Sequence, residues 1–189
     1  MKLIVGLGNP GQKYKDTRHN AGYIALDEAL KIFNLKMKLD VRFKSEIAFY
    51  QNLAKKAIFL KPVTYMNRSG EAVKSVIDYY KIEIEDILVI VDDIHLETGK
   101  LRLRELGGHG GHNGLRHIIE VLNTKDFKRV RIGIDLESNM PLDSYVLGKF
   151  KEDEKALLEK TCRQTAEAIE MFINEIPYKD IMTKYNTQT

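Results

Sequence analysis

The run ILVIV (Ile87 to Val91), followed at once by Asp92 and Asp93, sets the narrowest limit on what this 189-residue chain can fold into. Five apolar, mostly β-branched residues without alternation mark a strand buried on both faces, and such strands belong to sheets covered by helices. The flanking pattern agrees. Lys2 to Leu7 reads as a short strand entering the turn Gly-Asn-Pro-Gly. Between Ala21 and Phe33, Tyr23, Leu26, Leu30 and Phe33 recur at three and four, which predicts an amphipathic helix. Glu46 to Gln51 and Ala57 to Pro62 read as two strands joined by a short turn. Ser69 is the expected N-cap of a helix through Tyr80, with Glu71 in its first turn favoured by the helix dipole. Lys100 to Arg104 alternates charge with leucine, as a half-exposed strand does. A glycine-rich loop follows, then a helix from about Leu115 to Leu122, a last strand from Val130 to Ile134, and a long helix from Asp153 to Ile173. Leu136 to Ser144, with Asn139 and Pro141, reads as a loop. Interleaved strands and helices predict an α/β fold: one domain over residues 1–189, with a central mixed β-sheet flanked by helices.

A hydrophobic content of 43% with 30% charged residues supports a packed core and argues against disorder. No window approaches the ~20 apolar residues that a membrane-spanning helix needs. The amino-terminal apolar run is stopped by glycines, without the length or cleavage site of a secretory signal, so the expected location is the cytoplasm. Cys162 is the sole cysteine, which rules out an internal disulfide and fits a buried packing thiol. The net charge of +3 permits an anionic partner without demanding one.

Gly6, Gly8 and Gly11 spell GxGxxG after a strand, the spacing of a dinucleotide site. Pro10 and the polar stretch Gln12 to Asp16 keep a helix from starting where a pyrophosphate would need one, and Asp27 and Glu28 fall inside a helical pattern. A glycine turn that holds Asn9 beyond a strand's carboxyl end is sufficient. His19, just before a helix, can take a proton near neutral pH and suits general-base chemistry. Asn9, Asn67 and Asn113 sit at strand or loop ends, and Asp92 ends the ILVIV strand. A carboxylate can fix an imidazole's tautomer, and asparagines can hold carbonyl or hydroxyl groups. No GxSxG elbow is present and the cysteine is badly placed, which favours attack by water. His109, His112 and His117 raise a metal reading, but HExxH is absent and glycine loops hold ligands loosely, so these histidines read as structural. Glycines at 107, 108, 110, 111 and 114 allow a flap. Around them lie Arg102, Arg104, Arg116, Lys125, Lys128, Arg129 and Arg131, and two same-face pairs, Arg102 with Arg104 and Arg129 with Arg131, suit phosphate contacts.

Seven segments in register carry a resemblance. They are GLGNPG (Gly6 to Gly11), TRHNAG (Thr17 to Gly22), KPVTYMNRSG (Lys61 to Gly70), VDD (Val91 to Asp93), GGHGGHNG (Gly107 to Gly114), RVRIGI (Arg129 to Ile134) and YVLGKF (Tyr145 to Phe150). Together they resemble the bacterial-type peptidyl-tRNA hydrolase family. The resemblance implies cleavage of the ester between a peptide and the 3′-terminal ribose of tRNA, by a monomer that needs neither metal nor cofactor. It makes His19 the general base, Asp92 its orienting acid, and Asn113 the residue associated with water and oxyanion. Asn9 and Asn67 match substrate-positioning asparagines, Tyr14 and Met66 line the cleft, and Arg104 with Arg131 match a basic pair near a tRNA phosphate. His95, Leu106 and Asp135 depart from the family's usual residues, which bears on loop mobility and tRNA contact. A non-catalytic RNA-binding protein on the same fold is the alternative, although such a protein would be free to lose His19, Asp92 and the asparagines.

Overall fold

A computed structural model describes residues 1–136 and 140–186, and Asn139 of the predicted loop lies outside the described residues. β5 (Ile87–Asp93), the ILVIV strand, is buried at every position. It pairs in parallel with β1 (Lys2–Gly6) on one side and β7 (Lys128–Gly133) on the other. β1 pairs in parallel with β4 (Lys55–Pro62), which forms an antiparallel hairpin with β3 (Ser45–Asn52). β2 (Lys38–Asp40) and β6 (Leu101–Arg104) are antiparallel edges, giving the order β2-β3-β4-β1-β5-β7-β6 in one seven-stranded mixed sheet.

Alternation along each strand divides its side chains between two faces. On one face Ile4, Phe59, Leu88 and Ile90 pack with α1 (Ala21–Ile32), α5 (Glu152–Ile173) and α6 (Tyr178–Asn186). On the other, Leu3, Val5, Leu60, Val89 and Val91 pack with α2 (Ser69–Tyr80) and α3 (Asn113–Leu122). Each of these fully buried side chains contributes about 1.5–3 kcal/mol. The result is a single three-layer α/β domain. Among the described residues no helix is long and apolar enough to cross a membrane.

Three local expectations are corrected. β2, too short and too exposed to show a pattern, was not anticipated. The segment expected as a loop contains α4 (Leu142–Val146), a single turn after Pro141 that is too short for helical periodicity to register. Ser69 is not the N-cap of α2: it is the first helical residue, preceded by Arg68, and its hydroxyl donates back to the carbonyl of Met66 at 3.0 Å.

One close approach places the site. The N–H of Tyr23, in the first turn of α1, donates to the carbonyl of Leu7 at 3.1 Å. A Cβ on Gly22 would come within 2.3 Å of the Ile90 carbonyl oxygen, so only glycine lets α1 start this close to β1 and β5. The turn before α1, which carries His19, is thereby held over the carboxyl ends of β1 and β5. The chain leaves β1 for β4 on one side and returns to β5 on the other, the point where α/β sheets open a crevice.

Candidate active site

At that crevice lies a cleft of about 480 Å³ lined by Asn9, His19, Met66, Asn67, Asp92 and Asn113 among others. Five of the separated stretches that converge there supply these residues. β1 and its turn supply Asn9, the turn before α1 supplies His19, the turn before α2 supplies Met66 and Asn67, β5 ends in Asp92, and α3 opens with Asn113.

The centre is Asp92, which is buried and meets two imidazoles. His19 Nδ1 lies 3.0 Å from Asp92 Oδ1 and 3.1 Å from Oδ2, and His112 Nε2 lies 3.0 Å from Oδ1. Tautomers follow from the donors and acceptors. A carboxylate only accepts, so His19 Nδ1 donates its proton and Nε2 keeps its lone pair. His112 Nδ1 accepts the Leu115 N–H at 3.2 Å as the N-cap of α3, so the proton of His112 sits on Nε2 and points at Asp92. Burial opposes the charge of Asp92, yet the two imidazoles hold the carboxyl far below the usual carboxylate range. Burial likewise works to lower the His19 pKa, but the charge and hydrogen bond of Asp92, with a further push from Asp143, raise it above the ordinary value for imidazole. His112 was expected to be structural. It is structural as a helix cap, and it is also a direct partner of the cleft carboxylate, which its HGGHNG context did not reveal.

His19, Asp92 and His112 place ligand atoms within 4.8 Å of one another, the geometry of a possible cation site. The hydrogen-bond pattern fits a metal poorly. The Nε2 that His112 turns to Asp92 is the protonated one, and freeing its lone pair would break the cap of α3 or strip the ring of its remaining proton.

Asn9 is fixed on both sides. Its Oδ1 accepts the Met66 N–H at 2.8 Å, which sets the flip of the carboxamide and leaves its NH2 to offer a donor. Its backbone is paired with Asn20, a buried residue beside His19 that its place in TRHNAG did not single out. Tyr65, on the cleft wall, has φ 60° and ψ 160°, a conformation almost restricted to glycine, and it delivers the Met66 N–H to Asn9. Asn67 and Asn113 line the cleft with exposed side chains. Met66 is buried in the wall. Tyr14 is not among the lining residues; its ring stands edge-on to Tyr65 with centroids 6.4 Å apart, one ring removed from the cleft.

The turn carrying His19 is anchored from behind. Arg18 is buried, donates to both carboxylate oxygens of Glu154 at 3.0 and 2.9 Å, and lies over the ring of Tyr145. The loop wall is tied down by arginine. In the β6–β7 register Arg102 opposes Arg131 and Arg104 opposes Arg129, so all four share one face of the sheet. Arg129 is fully buried and donates to the carbonyls of Gly107, Gly108, Lys125 and Phe127, which removes it from any phosphate. Arg131 lines the cleft, bonding Asp93 at 3.2 Å and the Gly108 carbonyl at 2.8 Å. Arg104 is exposed on the edge strand, outside the cleft lining.

A buried carboxylate that sets one imidazole's free nitrogen toward a cleft of amide donors can activate water against an acyl group. Comparison with known proteins gives that chemistry a substrate. The family model described as peptidyl-tRNA hydrolase matches residues 3–189. A peptidyl-tRNA hydrolase of Oceanobacillus iheyensis is 46% identical, covering 98% of this chain and 100% of the relative. One from Bacillus cereus is 44% identical, covering 99% of this chain and 100% of the relative. The crystal structure of the Acinetobacter baumannii peptidyl-tRNA hydrolase superposes with a TM-score of 0.93 at 34% identity, covering 98% of this chain and 94% of that one. With its full length matched in sequence and in fold, the chain belongs to the peptidyl-tRNA hydrolase family and is a hydrolase of peptidyl-tRNA.

Proposed function

We propose that His19 is the general base of this hydrolysis. Its Nε2 takes a proton from water as the oxygen adds to the ester carbonyl, and the same proton then passes to the departing ribose oxygen, so peptide acid and tRNA leave together. Asp92 holds the Nδ1 proton in place and stabilises the imidazolium formed midway. Asn113 is assigned to the attacking water and the oxyanion, and Asn9 and Asn67 to holding the substrate's polar groups. Met66 lines the wall beside them, with Tyr14 bracing the rim through Tyr65. Arg104 and Arg131 are assigned to tRNA phosphate. The working species is read as a monomer in the cytoplasm; it uses no metal, and the protonated Nε2 of His112 supports that last point.

The observation that carries this reading is the 3.0 Å contact between His19 Nδ1 and Asp92, which leaves Nε2 unprotonated. The test is release of an N-blocked amino acid from tRNA by the native protein and by His19→Ala. The expected loss is at least about a hundredfold, the usual worth of a positioned base. Equal rates would remove His19 from the role. Chelation by EDTA should leave the native rate unchanged, whereas loss of activity restored by zinc would establish a metal.

A further inference from the structure

The charges lining the cleft do not cancel. Asp92 is met by His19 and His112, and Asp93 by Arg131. The remaining charged side chain on the lining is Asp143, in α4, which is exposed and has no ion-pair partner among the described residues. Its neighbours on that wall, Leu142, Val146 and Leu147, are apolar. The arginines of the site stand on β6 and β7, not on α4. Apart from these paired charges, the cleft therefore has a wall that is apolar with one unneutralised carboxylate.

We propose that Asp143, with Leu142, Val146 and Leu147, forms a subsite for a cationic group on the peptide being released. Two sources share that chemistry: a lysine or arginine side chain next to the esterified residue, and a free amino terminus on a very short peptide. The proposal rests on the reading that His19 stands at the scissile ester. Asp143 is close enough for its charge to be felt at His19, so its partner would sit within one or two residues of the bond being cut. The apolar wall accommodates the methylene stem of a long basic side chain, whose charged end stays at the wet rim. A cation docked there also cancels the push of Asp143 on His19. The base then loses its proton at a lower pH with a basic peptide than with a neutral one.

The experiment compares peptidyl-tRNAs that share the tRNA and the esterified residue. One carries N-acetyl-lysine at the preceding position, one N-acetyl-glutamine, one N-acetyl-glutamate, and a fourth a glycine with a free amino group. The readout is the ratio of kcat/KM to that of the glutamine peptide, taken within each protein, so that differences in folded fraction cancel. The native protein should favour lysine by about three- to fivefold, as a partly exposed charge pair allows, and disfavour glutamate. Asp143→Asn should bring the lysine ratio to one, and Asp143→Lys should invert it towards glutamate. Preference for the lysine arm alone assigns the subsite to a side chain, and preference for the free-amino arm assigns it to the amino terminus. Native ratios near one in both the lysine and the free-amino arms, or a preference that survives in Asp143→Asn, overturn the subsite. Failure of the general-base reading would show separately, as release that does not depend on His19, while the ratios still report on Asp143.

Discussion

Asn9 and Asn20 hold each other by two hydrogen bonds in opposite directions: the Asn9 N–H donates to Asn20 Oδ1 at 2.8 Å, and Asn20 Nδ2 donates to the Asn9 carbonyl at 3.0 Å. The pair locks the turn after β1 to the turn that carries His19. Asn20→Ala leaves two buried backbone groups without partners, at about 1–3 kcal/mol each. At about 2–4 °C per kcal/mol for a domain of this size, the variant should melt several degrees lower and lose kcat/KM together. Thermal unfolding and kinetics on one preparation check it; an unchanged kcat/KM would remove the pair from the site's support.

The rate should fall on acidification with a midpoint above the ordinary imidazole pKa of 6.5, because Asp92 and Asp143 raise His19 and the reaction needs the neutral ring. The sign for stability is the reverse. A raised folded-state pKa stabilises the protein below the unfolded value, and that contribution is lost as pH climbs through the folded value. Asp92→Asn removes the main cause, so the limb moves to lower pH. Its NH2 can also donate to His19 Nδ1 and turn the tautomer, so a loss of about a hundredfold or more is expected across the profile. A pH–rate profile of both proteins decides it.

Tyr65 stores strain. An exposed tyrosine changed to glycine ordinarily costs roughly 1 kcal/mol through backbone entropy. Here the native φ of 60° and ψ of 160° already cost about 1–3 kcal/mol, which glycine relieves. Tyr65→Gly should therefore keep or raise the melting temperature while lowering activity, because the cleft wall loses its ring. A clear fall in melting temperature would show that the conformation is unstrained.

Glu154→Ala leaves the buried Arg18 without its counter-charge, with its Nε already lacking a partner. Breaking a buried pair from one side costs about 3–5 kcal/mol. Urea denaturation should show that loss, with little change in the slope against denaturant.

Arg104 and Arg129 should separate by salt dependence. Arg104→Gln should flatten the plot of log affinity for tRNA against log salt by about one counterion. Arg129→Gln should lower stability instead, because its guanidinium is committed to backbone carbonyls.

The fold was largely legible where burial imposes a pattern. The unbroken apolar run of β5 and the three-and-four spacing of α1 both mark elements that face a core. β2 and α4 are too short for either period to show. Asn9, His19 and Asp92 could be nominated because each follows or ends a recognisable strand or precedes a helix. Asn20, Tyr65 and the second role of His112 escaped because their importance lies in contacts across the chain, or in a backbone angle, neither of which residue type encodes. Arg129 is the reverse case. Strand alternation placed it on the right face, but only the folded loop above it shows that this arginine faces carbonyls and not solvent.

The bond between Arg18 and Glu154 also sets an order of assembly. The turn that carries the base is made before its anchor, the α4 wall and the strand that ties down the glycine loop. While the protein is being synthesised it is itself esterified to a tRNA, a member of the very class of compounds it destroys. Arg18 waits for a partner 136 residues further along the chain, so the enzyme stays without its chemistry while that stretch of its own chain is being made.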